Sequence, residues 1–451
     1  MTIEQPPRVF PERSIRVVLN VIILLSAIST LWADESWLNG DPENDHIGNY
    51  KSRNFALHTD LNKEEAGKLL DRMERSLKIC SSYWGQTLRR RVEAYVVSDL
   101  SHWRSADFPH ALGRILIHRV GGAVDLRNVR DGRRTVRQCV LYAAATPGIA
   151  EHEVVHAYCT QVFGTSGPGW YREGMAELDN NRDANNAIQC AAAVLTELRT
   201  GTPRRISTVT QDVTMADSIY DMLSDIGKRR RSGIRLTRAE KRELESGKTV
   251  SDTRLSYCWC WALCHFLDNN PNYSKRFRAL GKAYLSQQRV SFERAFAGMS
   301  DELEFEYAQF LKNVGNGYRV DLCSCKWGVD SDSLSPKETL RVRVRADYGY
   351  QPTRLTVVAG QQYQFHTEGA WRLGSSQREA VSAKGDGRSR GQLEGVVFQD
   401  FNLSSPIELG ADGVFTAPSD GHLYLRCQDN WNELGDNQGI VRVTFSRKNA
   451  E

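Results

Sequence analysis

The run His152-Glu153-Val154-Val155-His156 is followed by Trp170-Tyr171-Arg172-Glu173-Gly174-Met175-Ala176-Glu177, and these two segments constrain the chain more than any other feature. Histidines four apart lie on one face of a helix, about one turn from each other, so both rings can reach a single ion. Glu153 sits roughly 100° round that helix, close enough to polarise a water on the ion. Sixteen residues separate His156 from Glu173, which can supply a third ligand from a second helix. Two histidines and one glutamate leave a fourth position open, as a catalytic zinc site requires.

The surroundings strengthen this. Thr146 can cap a helix whose first residue is Pro147, and Gly164 supplies a stop, which predicts a helix over 147–163. Ile149, Cys159 and Phe163 continue the histidine face, while Val154, Tyr158 and Val162 mark a second apolar stripe. A helix apolar on two faces belongs inside a domain. An isolated ionisable histidine there is costly, whereas a metal-bound neutral one is not. The competing reading is a pair of core histidines bonded to carbonyls. Glu177, one turn beyond Glu173, can accept the spare ring N–H of a ligand histidine and fix its tautomer; the alternative for Glu177 is a solvated helix face.

The HExxH and W-x-x-E-G-x-A-E motifs together resemble the gluzincin metallopeptidases, the clan of thermolysin and the zinc aminopeptidases. They resemble more closely a family of exported bacterial gluzincin-like domains. The likeness covers about residues 50–315. It implies zinc ligands at His152, His156 and Glu173 and a general base at Glu153, although the gap before Glu173 is a little shorter than in thermolysin. It also implies an oxyanion-holding tyrosine on a later helix. Tyr257, in the apolar stretch from Tyr257 to Leu267, is the candidate, with a merely packed core tyrosine as the alternative. His265 in the same stretch reads as a core histidine. In such enzymes an edge strand before the HExxH helix pairs with substrate, a role for which Ala143–Ala145 is the expected segment. Water activated by Zn2+, with Glu153 taking its proton, would then attack a peptide carbonyl.

At 451 residues the chain has room for two or three domains. Its formal charge of +4 is weak, and the one dense basic run, Lys228–Arg231, comes with no recognition fold, so nucleic acid is not an expected partner. Residues 1–33 read as a signal peptide or uncleaved signal anchor, with Arg8, Arg13 and Arg16 before an apolar run from Val17 to Ile28. That places the protein outside the cytoplasm, with the membrane touched only through an uncleaved anchor. Ten cysteines then allow disulfides, and Cys323-Ser324-Cys325 is an expected staple, while Cys258, Cys260 and Cys264 lack the spacing of a structural zinc site.

Residues 34–49 read as a flexible lead-in. A helix over 63–84, strands at Val92–Val96, at Ile115–Ile117 and over 138–145, and a mostly helical stretch over 186–312 predict an α+β, zincin-like domain over 50–315 with a mixed sheet and a helical lobe. Residues 316–338 read as linker. Over 339–451 alternating runs such as Leu340–Ala346, broken by Gly, Asp and Ser, predict an all-β sandwich.

Near its end that domain carries an acidic loop between strands, Gln428 to Gly439. Asp429, Asp436 and Asn437, joined by a mid-loop carbonyl such as that of Glu433, offer the oxygen ligands that Ca2+ favours. A polar hairpin loop with no ion is the alternative. With the first alternating strands and the Gly369-Ala370-Trp371 turn, this D-x-x-x-x-x-x-[DN]-N-x-G loop resembles galactose-binding lectins of the LecA (PA-IL) type, which implies a galactose-type glycan partner. Asp436 stands where that family often has Asn. The expectation is an exported zinc peptidase acting on peptide or protein and tethered by a lectin-like module. Its rival is a non-catalytic carbohydrate- or surface-binding protein whose metal site is structural.

Overall fold

The structure, a computed structural model, describes residues 46–448 apart from 111, 132–133, 181–191, 213–248, 375–378 and 389. The expected signal segment, the lead-in up to residue 45 and the basic run Lys228–Arg231 lie outside the described residues. No helix among the described residues is long and apolar enough to cross a membrane.

Strands β1 (Gly48–Lys51), β2 (Phe55–Thr59), β3 (Val92–Val97), β4 (Gly122–Asp131) and β5 (Arg134–Ala144) form one sheet in the order β1-β2-β3-β5-β4. The central pairs β2–β3 and β3–β5 are parallel, and the outer pairs β1–β2 and β4–β5 are antiparallel. β3 is buried at five of its six positions, as a continuous apolar run between two strands should be. β1 takes the last two residues of the expected lead-in.

Helix α1 (Lys63–Trp84) starts at Asn62, whose side chain accepts from the backbone N–H groups of Glu64 and Glu65, and ends at left-handed Gly85. It lays Leu69, Met73 and Leu77 into the core over the sheet. The expected strand at Ile115–Ile117 is instead part of helix α2 (Leu112–Val120). Buried positions there fall at Gly113, Arg114, Leu116 and Ile117, a three-to-four spacing that reading the two isoleucines alone disguised as alternation. Ala143–Ala145 is not an edge either: β5 lies between β3 and β4, and the sheet edge beside the site is β4.

Helix α3 (Ile149–Phe163) begins two residues later than expected, at left-handed Gly148, and stops at Gly164. Glu151 secures its start, accepting from the Gly148 N–H at 3.2 Å and from Arg72 at 2.5 Å. Residues 150–159 of α3 are all buried. Helices α4 (Gly169–Asn180), α5 (Ala192–Thr200), α6 (Thr249–Asn269), α7 (Ser274–Leu285) and α8 (Ser300–Asn313) continue the chain and share the same core. The architecture here is a mixed sheet with helices packed against it.

The second module joins two sheets over one core built from Val344, Leu355, Phe365, Leu393, Leu423 and Val443. One runs β11 (Asn402–Leu403), β10 (Leu393–Gln399), β14 (Gly421–Cys427), β8 (Gln351–Val357), β6 (Asp332–Ser333), with β12 (Ile407–Glu408) also on β10. The other runs β13 (Asp412–Thr416), β9 (Gln362–Arg372), β15 (Gln438–Arg447), β7 (Thr339–Arg345). Gly369-Ala370-Trp371 is not the expected turn but part of β9, paired with β15.

Residues 316–338 are not a loose linker. Tyr318, Val320 and Cys323 are buried in the first core, and β6 joins the second module. Glu306 on α8 draws the segment in: its carboxylate accepts from Trp327 Nε1 at 2.7 Å and the Cys325 N–H at 3.0 Å, and also from Asn270, Asn272 and Tyr273. The segment's polar composition suggested exposure, but the Cys325 N–H and the Trp327 indole tie it to one buried carboxylate. The nine described cysteines are free thiols, Cys323 and Cys325 included, so the expected staple is absent among them.

Candidate metal centre

Two helices meet at the HExxH motif. α3 presents His152, Glu153 and His156, and α4 presents Glu173 and Glu177. The Nε2 atoms of His152 and His156 lie 3.0 Å apart, and Glu173 Oε2 lies 3.2 Å from the first and 3.3 Å from the second. Zinc bonds of about 2.0–2.2 Å in tetrahedral geometry place ligand atoms about 3.3 Å from one another. The three edges found here therefore fit the ligand face of such an ion. Glu153 also lies within 4.8 Å of both imidazoles. It is Glu173, however, that touches both rings, which leaves Glu153 as the carboxylate beside the triangle.

Electrostatics divide the four groups. Burial works against charge on Glu173, but the His156 and His152 rings and Arg172 hold its carboxyl well below the usual range. Burial likewise opposes charge on His152, yet bonds to Glu173 and Glu177 push that imidazole well above its ordinary value. Burial wins at His156, which is lowered, and at Glu153, whose carboxyl is pushed up to about 8. Glu153 Oε2 and His156 Nδ1 are buried with no hydrogen-bond partner. Buried polar atoms are nearly always paired, so the Glu153 oxygen, beside the triangle, points to a missing partner in the site.

Glu177 Oε1 lies 2.9 Å from His152 Nδ1, a contact that leaves Nε2 of that ring free to act as a ligand. Arg172, which sequence reasoning passed over, donates from Nε to Glu173 Oε1 at 2.7 Å and so turns Oε2 toward the histidines. Gly122 on β4 was missed as well. A Cβ there would come within 2.8 Å of Glu153 Cγ and Oε1, so only a glycine lets the edge strand approach the base.

Tyr257 enters from α6. Its ring centroid lies 6.1 Å from that of His152. Burial, then Glu173 and Glu153, push its phenol well above its usual range, so it stays a donor. Gly174 permits this approach: a Cβ on it would stand 2.5 Å from the Cys260 carbonyl oxygen and collide with Cys264 Sγ. His265 is a core histidine, stacked on Trp261 and Phe310 at 5.1 and 5.8 Å.

In the acidic loop Asp429 and Asn437 are buried together, with Asn437 Nδ2 donating to Asp429 Oδ2 at 3.0 Å and Asn437 Oδ1 accepting from the Gly374 N–H. Arg390 covers Asp429, with Nε 2.8 Å from Oδ1, and its second nitrogen lies 3.2 Å from Glu433 Oε2. Asp436 is exposed at the loop's far end. A guanidinium thus stands against the carboxylates expected to bind Ca2+, and every Asp429 oxygen already accepts from nitrogen. This donor set does not fit a calcium ion unless Arg390 moves away.

No protein-family model matches the chain, and no curated protein matches it. A solved structure described as the EclA N-terminal domain, a PllA-like lectin, is similar over 24% of this chain and 96% of that one, at 20% identity and a TM-score of 0.21.

Proposed function

We propose that the chain is an exported zinc-dependent peptidase of the gluzincin type. One observation carries the reading: three ligand atoms from His152, His156 and Glu173 converge within 3.3 Å of one another, with an unpartnered buried carboxylate beside them. A zinc ion held there would act as a Lewis acid on the substrate carbonyl and lower the pKa of water towards 7.

The protein's own residues do the rest. Glu153 takes a proton from water as the water oxygen adds to the carbonyl carbon, and passes that proton to the amine as the C–N bond breaks. Tyr257 donates its hydroxyl to the developing oxyanion. Glu177 fixes the tautomer of His152, and Arg172 fixes the rotamer of Glu173. An extended substrate would pair with β4, which no further strand joins among the described residues, in place of the Ala143–Ala145 segment. The second module would tether the enzyme to glycan.

A non-catalytic protein with a structural metal has no use for a base beside its ligands, and the orphaned Glu153 oxygen favours the enzyme. The test is hydrolysis of casein and of a peptide library with and without a zinc chelator. The reading expects cleavage that chelation abolishes and added zinc restores. Equal cleavage in both conditions would reject it.

A further inference from the structure

A cavity of about 830 Å3 opens between the two modules, away from the histidine pair. Leu195 and Asn316 line it from the first module, and Arg388, Arg390, Arg426 and Gln428 from the second. Asp429, Asn430, Trp431 and Asn432 of the acidic loop close it. The volume falls within the range of small-molecule sites.

Its charge is uneven. Asp429 is the one carboxylate in the lining, against three guanidinium groups. Arg390 is committed to Asp429 and Glu433, and Arg426 to Glu394 at 2.8 Å. Arg426 is also held against the Trp431 ring, with its guanidinium carbon 4.0 Å from the centroid. That stack locks both side chains in place. Arg388 is exposed and makes no ion pair among the described residues. Gln428, Asn432 and Asn316 likewise make no side-chain hydrogen bond among those residues.

Free carboxamides both donate and accept, which matches a ring of hydroxyl groups better than inorganic phosphate, whose oxygens mostly accept. A free arginine at the mouth matches a carboxylate. We propose that this cleft binds a small hydroxylated carboxylate, an acidic sugar of the uronic-acid kind, bridging the two modules. The inference rests on the reading of the second module as a glycan tether, and gives that glycan an acidic group. It does not depend on the metal centre.

The experiment is calorimetric titration of the full chain with glucuronate, galactose and inorganic phosphate, all in EDTA so that no divalent ion contributes. Glucuronate is expected to bind one per chain and at least tenfold more tightly than either of the others. Arg388→Ala should weaken it on the order of tenfold, and Asn316→Ala, on the opposite wall, several-fold. Galactose binding as well as glucuronate would overturn the acidic assignment while leaving the tether standing. Phosphate binding as well as glucuronate would reduce the site to an adventitious anion patch. Binding of none of the three, or full affinity in both variants, would remove the cleft as a site.

Discussion

At the residue scale, the defining feature is the convergence of two imidazoles and a carboxylate that only a shared proton or a cation can hold together. Two imidazole nitrogens stand 3.0 Å apart with a carboxylate oxygen against both, all buried. Lone pairs so placed repel unless a proton or a cation sits among them. The ligand trio was legible because helical spacing alone aims His152 and His156 the same way. Its supports were less so. Neighbours one apart do not share a helix face, so nothing in the sequence said that Arg172 would reach Glu173. Arg390 is 39 residues from Asp429, and only the folded chain brings it onto the acidic loop. Glu177→Ala leaves His152 free to rotate and to carry its proton on Nε2. Zinc affinity should then fall about 10- to 100-fold, measured by competition with a chromophoric chelator. Unchanged affinity would show that Glu177 faces solvent to no effect.

At the element scale, Gly174 decides how closely α4 and α6 approach, and so where Tyr257 stands. Gly174→Ala must push the helices apart or displace Cys264. Overpacking of this kind costs about 1–3 kcal/mol. The variant should lower the urea midpoint and cut turnover more than zinc content, because the ligands lie on α3 and α4 whereas the tyrosine rides on α6. A variant as stable and active as the parent would contradict the close packing. Several helices were readable, α1 over 63–84 and α3 up to its stop at Gly164, whereas α2 was not. Strand order was not. Alternation reports which faces are buried and carries nothing about neighbours, so it cannot say that β4, not β5, occupies the edge.

At the scale of the whole molecule, the two modules are joined by more than a tether. Leu434 and Trp431 of the acidic loop pack against the first core, Trp431 lying 5.1 Å from Tyr318. Phe305 of α8 meets Phe398 at 5.3 Å, and Trp327 meets Phe398 at 5.8 Å. Glu306 anchors the connecting segment with both oxygens satisfied. Glu306→Gln would turn an amide N–H2 toward groups that donate, at a cost of about 3 kcal/mol. Earlier unfolding in urea and faster proteolysis within 317–338 should follow, while a parental denaturation curve would show the segment to be passive. Composition had marked this stretch as linker because Asp, Ser, Gly and Pro dominate it. The aromatic residues that bind it down are few, and their partners lie in both modules.

The account stands or falls on Glu153 as the base of a zinc site. Zinc content and peptide turnover of Glu153→Gln, measured side by side with the parent, test it most directly. The variant should retain one zinc per chain and lose turnover by about 10²–10⁴-fold. Undiminished turnover, or a parent that binds no zinc at all, would contradict it.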